Sequence, residues 1–116
     1  MLISLLILLI VLPNTPVVNA VKILNTEYDI VITSGRMDSS RKDTHEWLDK
    51  HGIPFKVLLM RQTGDVRNDA DIKEEIFRNQ IAPNYCVDFV LDDRNRVADR
   101  WREMGIPCFQ VAPGNF

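Results

Sequence analysis

The sequence predicts an α/β fold in which a parallel sheet is covered by helices on both faces. Three observations predict it. Short apolar runs recur at Tyr28 to Thr33, Pro54 to Met60, Val87 to Leu91 and Pro107 to Ala112. Segments with helical start and stop signals lie between them. The runs are nearly continuous rather than alternating, so each strand must be buried on both sides.

Each element has a local reason. Thr15 can cap a first helix with Pro16 at its first position, where a missing N–H costs nothing, and Val17, Val21 and Leu24 then share a face. Tyr28 to Thr33 is β-branched and apolar, a strand pattern. Ser40 can cap the next helix, with Trp47, Leu48 and His51 turned inward and Gly52 ending it. Pro54 to Met60 is the next strand, followed by a polar loop from Arg61 to Arg67 around Gly64. Asn68 or Asp69 caps a third helix with Ile72, Ile76 and Phe77 as its stripe. After the strand Val87 to Leu91, Asp93 can cap a fourth, burying Val97, Trp101 and Met104 and stopping at Gly105.

Residues 1–116 make one domain's worth of chain, with 46% apolar and 26% charged residues, a globular balance. The net charge of −2 excludes a broad basic surface for nucleic acid, although a pocket for one terminal phosphate remains open. Cys86 and Cys108 lack metal-ligand spacing and predict reduced core residues, which favours a cytoplasmic setting. Leu2 to Leu12 is apolar and Val18-Asn19-Ala20 has the form of a signal-peptidase site, so secretion through Met1–Ala20 is the alternative. No Lys or Arg precedes that run, and it is shorter than the about 20 residues a membrane span needs. No GxxxxGK[ST] loop occurs, so nothing points to a kinase.

Ligands of open parallel sheets bind at the carboxyl ends of strands. Here the first of the four runs ends in Thr33-Ser34-Gly35-Arg36. A hydroxyl, freed amides and a guanidinium fork can cradle phosphoryl oxygens, and Gly35 permits close approach; an ordinary strand-to-loop turn has the same residues. Val87 to Leu91 ends in Asp92-Asp93. Adjacent carboxylates repel unless a cation intervenes, and hard oxygens suit Mg²⁺, whereas the plainer reading is a helix cap beside a solvated residue. Lys73, early in its helix, opposes the helix dipole unless an anion is near; alternatively it forms a surface pair with Asp69. Arg94, Arg96, Arg100, Arg102, Glu74 and Glu75 read as wet helix faces.

In order, a hydroxyl, a lysine and an acidic pair resemble motifs two to four of the haloacid-dehalogenase-like phosphatases. The blocks Ile30-Val31-Ile32-Thr33-Ser34-Gly35-Arg36, Gln62-Thr63-Gly64-Asp65-Val66-Arg67-Asn68-Asp69, Lys73-Glu74-Glu75-Ile76-Phe77, Ile81-Ala82-Pro83, Leu91-Asp92-Asp93-Arg94 and Gln110-Val111-Ala112-Pro113-Gly114-Asn115-Phe116 are similar to the 3′-phosphatase domain of phage polynucleotide kinase/phosphatase. The resemblance runs from about Val17 to the last residue. It implies a three-layer, Rossmann-like fold of haloacid-dehalogenase type and removal of phosphate from a nucleic-acid 3′ end. By the same resemblance, Ser34, Gly35 and Arg36 bind the phosphate. Lys73 balances charge as a catalytic residue, Asp69 orients it, and Asp92 and Asp93 hold Mg²⁺. A receiver-type signalling domain uses similar residues in the reverse order.

One departure bears on mechanism. The family's first strand ends in Asp-x-Asp-Gly-Thr, which supplies the nucleophile, and this motif does not occur in the sequence. The flap that normally follows it is missing too. Leu2 to Val11 is expected to fill the central place of a five-stranded sheet, because an apolar run can replace a buried strand but not two aspartates. The expectations are therefore a phosphatase-type domain inactive by itself, as a fragment or altered copy, or a non-catalytic module that binds nucleic-acid ends or a partner protein.

Overall fold

In the computed structural model, which describes residues 3–7 and 15–115, five parallel strands form one sheet in the order β3-β2-β1-β4-β5. The strands are β1 (Ile3–Ile7), β2 (Asp29–Met37), β3 (Val57–Arg61), β4 (Cys86–Asp92) and β5 (Cys108–Gln110). The α-helices are α1 (Thr15–Leu24), α2 (Arg41–Lys50), α3 (Asp69–Ile76) and α4 (Asn95–Glu103). A 3-10 turn at Asp38–Ser40 leads into α2, and a wider turn at Phe77–Ile81 continues α3.

β1 is central. Leu5 stands opposite Ile30 of β2, and Ile7 opposite Leu91 of β4. The strand expected at Leu2 to Val11 thus occupies Ile3–Ile7, and Leu2 and residues 8–11 lie outside the described range.

Successive strand residues point to opposite faces, and each face builds its own core. Ile30, Ile32, Leu58, Met60 and Leu91 pack with Val18 and Val21 of α1 and Leu48 of α2. Val31 and Val90 pack with Ala70, Ile72 and Ile76 of α3 and Val97, Ala98 and Trp101 of α4. Two helices per face make three layers, as expected. Trp101, 1% exposed, is the largest side chain fully enclosed, and removing a core side chain of that size costs roughly 3–5 kcal/mol.

The helix ends depart from expectation in several places. Thr15 is the first residue of α1 rather than its cap. Ser40 stands at the cap position of α2 but makes no capping bond; its carbonyl instead accepts the Thr44 hydroxyl at 2.9 Å. The cap position of α4 falls on Arg94, not Asp93. α3 is capped as expected, with the Asn68 side chain accepting from the Asp71 amide at 2.9 Å, a bond worth about 1 kcal/mol. Gly52 and Gly105, at φ +64° and +82°, end α2 and α4 in the left-handed conformation glycine adopts without strain. Cys86 is exposed rather than in the core, because it opens β4 where the strand is still half uncovered; Cys108 is buried. Among the described residues, no helix is long and apolar enough to cross a membrane.

Candidate active site

The site forms where β2, β3 and β4 end and α3 begins. β2 does not stop at Thr33 as expected but runs to Met37, with a register break between Ser34 and Met37. Ser34 faces Met60 and Met37 faces Arg61, so Gly35 and Arg36 are extra residues that bulge from the ladder. Ser34 is buried, and its hydroxyl accepts the Arg36 amide at 3.1 Å. Arg36 is exposed and forms no ion pair with another described residue. Gly35 must be glycine here: a β-carbon would overlap Asp69 Oδ1 and lie 3.1 Å from its Cγ.

Asp69 opens α3, and Lys73 follows one turn later on the same side. They are not a surface pair, since Lys73 is 1% and Asp69 6% exposed. The Lys73 ammonium lies 3.2 Å from Asp69 Oδ2 and 3.7 Å from Asp92 Oδ2, the latter at the end of β4. Neither approach has hydrogen-bond geometry, so the buried Nζ has no acceptor among the described residues. An ammonium in that state is costly unless another acceptor arrives.

Asp92 is fully buried rather than solvated. Its Oδ1 accepts the Arg94 amide at 3.1 Å and its Oδ2 the Trp101 indole N–H at 3.2 Å. Asp93 is different. Its Oδ1 is buried with no partner among the described residues. Burial first, and then the charge of Asp92, push its carboxyl above the ordinary carboxylate value. Two adjacent carboxylates, one held by a single donor on each oxygen and one with an orphaned hard oxygen, suit a small divalent cation. Among the described residues, no cluster of three or more His, Cys, Asp or Glu is placed to hold a metal, so the pair alone would be an incomplete cage.

Two arginines join that were not expected. Arg94 Nη1 comes within 3.5 Å of Asp69 Oδ2, so this side chain turns into the site rather than lining a wet helix face. Arg61 Nη2 lies 3.7 Å from Asp69 Oδ1, with the side chain largely buried. Arg100 and Arg102 also fail to be merely wet. Arg100 ties α4 to Asp71 and Glu74 of α3, each at 2.9 Å, and Arg102 donates to the Cys108 carbonyl. The sequence did hold a signal for the site pair: Arg61 closes an apolar strand, and Arg94 follows the acidic pair directly.

Gly35, Asp69, Lys73 and Asp92 therefore touch in one buried chain. Ser34 and Arg36 flank it on the bulge, and Asp93 stands beside it. The turn after β4 is held from behind, because the Gln110 amide donates to the Asp93 carbonyl at 3.2 Å and the Asn95 amide to the Gly114 carbonyl at 2.8 Å.

Known proteins resemble this chain in sequence and fold. A putative bifunctional polynucleotide kinase/RNA ligase of Autographa californica nuclear polyhedrosis virus is 35% identical over 94 residues, 78% of this chain and 14% of that protein. A chain in a solved structure of the Pnkp1/Rnl/Hen1 RNA repair complex superposes with a TM-score of 0.94 at 36% identity, covering 98% of this chain and 43% of its own length. In a second structure of the Pnkp1/Rnl/Hen1 complex the TM-score and identity are the same and the share of that chain is 47%. This chain thus spans less than half of each relative. The family model described as the phosphatase domain of polynucleotide kinase PNKP matches residues 11–116. With the likeness of the three-layer fold, that match shows that the chain belongs to the polynucleotide kinase phosphatase domains of the haloacid-dehalogenase-like class.

Proposed function

We propose that this chain is a polynucleotide 3′-phosphatase-type domain that holds the phosphorylated 3′ end of a nucleic acid and, as these 116 residues stand, does not turn it over. The observation that carries the reading is the Lys73 ammonium, 1% exposed and without an acceptor among the described residues. A phosphoryl oxygen is the acceptor such a group lacks. Ser34 and the bulge amides would meet a second oxygen, and exposed Arg36 would fork onto the substrate phosphate. Asp69 and Asp92 hold Lys73 from two sides and keep it directed to one point. Asp93, with Asp92 behind it, would hold Mg²⁺, which would supply positive charge against the phosphoryl group. The likeness to chains of RNA repair complexes favours an RNA end.

Turnover in this chemistry needs a carboxylate that attacks phosphorus. Residues 8–14 read Leu-Leu-Ile-Val-Leu-Pro-Asn, which contain no carboxylate, and Asp-x-Asp-Gly-Thr occurs nowhere in the chain. The same facts favour a second reading, a non-catalytic module that keeps the phosphate cage for binding ends or docking to a repair partner.

The test uses a 3′-phosphorylated oligoribonucleotide with Mg²⁺. The chain is expected to release no phosphate above background, yet to bind the phosphorylated end at least tenfold more tightly than its 3′-hydroxyl counterpart. Lys73→Ala should abolish that preference. Equal binding of both ends would refute the phosphate cage. Turnover that Asp92→Asn abolishes would show that a nucleophile is present after all. Grafting Asp-x-Asp-Gly-Thr and a flap ahead of Thr15 separates the two readings, since only a competent phosphatase scaffold gains turnover.

A further inference from the structure

Arg61 makes an unusual number of directed contacts for a residue at the end of an edge strand. Its Nε donates to the Gly35 carbonyl at 2.8 Å. Its Nη1 donates to the Asp65 carbonyl at 3.0 Å and also to the Arg67 carbonyl. Its Nη2 faces Asp69 Oδ1 at 3.7 Å, with the Arg61 side chain 12% exposed. One planar fork thus touches the β2 bulge, two carbonyls of the loop after Gly64 and the first residue of α3. These parts come from separate stretches of chain, and among the described residues no strand pairing holds Gly35 and Arg36 in place.

We infer that Arg61 is a positioning residue that sets the Ser34–Arg36 phosphate cradle against Asp69 and Lys73 by bridging the bulge, the loop from Gln62 to Arg67 and α3. The inference rests on the phosphate-site reading above and deepens it. Its logic is geometric. The bulge carries the groups aimed at phosphate, while α3 carries the ammonium and the carboxylate that steadies it. A shift of an ångström between them would separate Ser34 and Arg36 from Lys73, and positioning errors of that size cost about 10²-fold in well-aligned sites. Lysine could keep a charge near Asp69, but a single ammonium cannot span Gly35, Asp65 and Arg67 in one plane as a guanidinium does.

The experiment follows amide hydrogen exchange and binding of inorganic phosphate in the 116-residue chain, its Arg61→Gln and Arg61→Lys variants, and Arg36→Ala as a control. The reporter amides are Arg36, which donates to Ser34 Oγ, Asp65, which donates to the Gln62 carbonyl, and Arg67, which donates to Asp65 Oδ1. Val90, whose amide donates to the Pro107 carbonyl, reports the sheet at a distance. Both Arg61 variants are expected to exchange the three reporters at least tenfold faster with Val90 unchanged, and to bind phosphate about tenfold more weakly. Arg36→Ala should weaken phosphate without moving Asp65 or Arg67. If Arg61→Lys matches the parent in exchange and affinity, charge alone suffices and the bridging role is wrong. If Val90 accelerates as much as the reporters, Arg61 serves general stability and the inference is likewise overturned. If the parent binds no phosphate, the functional reading fails, while the exchange pattern still decides whether Arg61 bridges.

Discussion

At Asp93 a carboxylate oxygen is held inside the protein with no donor among the described residues, beside a second carboxylate. Its raised pKa means that the fold binds this proton more readily than the unfolded chain does. The metal-free domain therefore loses stability as pH rises from the unfolded value, about 3.9, towards the folded one. Asp93→Asn removes that charge. It is expected to melt a few degrees higher than the parent at pH 7 in chelator and to show no advantage near pH ~3.5. Mg²⁺ should raise the melting temperature of the parent only. A variant that melts lower in chelator and still responds to Mg²⁺ would exclude Asp93 as the ligand. Asp65 has the opposite sign. The Arg67 side chain, and then its backbone amide, hold the Asp65 pKa at about 2. Its contribution is complete above the unfolded value and disappears as pH falls through about 2. Asp65→Asn should lower the melting temperature slightly at pH 7, a small effect because the pair is solvated. The gap from the parent should close between pH ~4 and ~2; a gap independent of pH would mean that the pair does not stabilise the loop.

The elements that carry the site are its irregular ones. The bulge in β2 takes Gly35 and Arg36 out of the ladder with β3, and the turn between β4 and α4 aims Asp92 and Asp93. That turn is braced by the segment after β5, since Gly114 packs against it so closely that a β-carbon would overlap the Asp93 carbonyl and lie 2.7 Å from Arg94 Cα. Gly114→Ala must push the two apart. Overpacking of this kind costs roughly 1–3 kcal/mol, so urea unfolding should show a loss in that range, with weaker Mg²⁺ binding because the acidic pair moves too. A loss below about 0.5 kcal/mol would show that the segment is loosely held. These irregular features were the least readable in the sequence. A run such as Ile30 to Thr33 announces a strand, but nothing in Ser34-Gly35-Arg36 separates a bulge that continues the strand from a loop that ends it. Asp93 looked like a cap because a carboxylate before a helix usually is one. Only the backbone path shows the cap position one residue later, leaving the carboxylate unspent.

Across the whole molecule, period and burial were readable where chemistry was ordinary. Four apolar runs became β2 to β5 with shifted ends, and Val21, Leu48, Ile72 and Trp101 of the helical stripes are buried as expected. The central place of β1 was also foreseen, from the gap its absence would leave. Spacing offered the Asp69–Lys73 pair but not its burial, nor that Arg61 and Arg94 gather around Asp69, because partners brought together by folding leave no local pattern. The sheet order has a further consequence, for the time course of folding. β1 pairs with β2 on one side and with β4 on the other, so Ile3 must find Cys86, close to the far end of the chain. Contacts of such long reach are closed late and slowly. On the ribosome, β1 emerges before β4 and must stay unpaired on that side until β4 has been made. For that interval an apolar strand edge stands open. The last step to complete the domain is therefore expected to be the docking of β4 beside β1, the same event that brings Asp92 and Asp93 to Lys73.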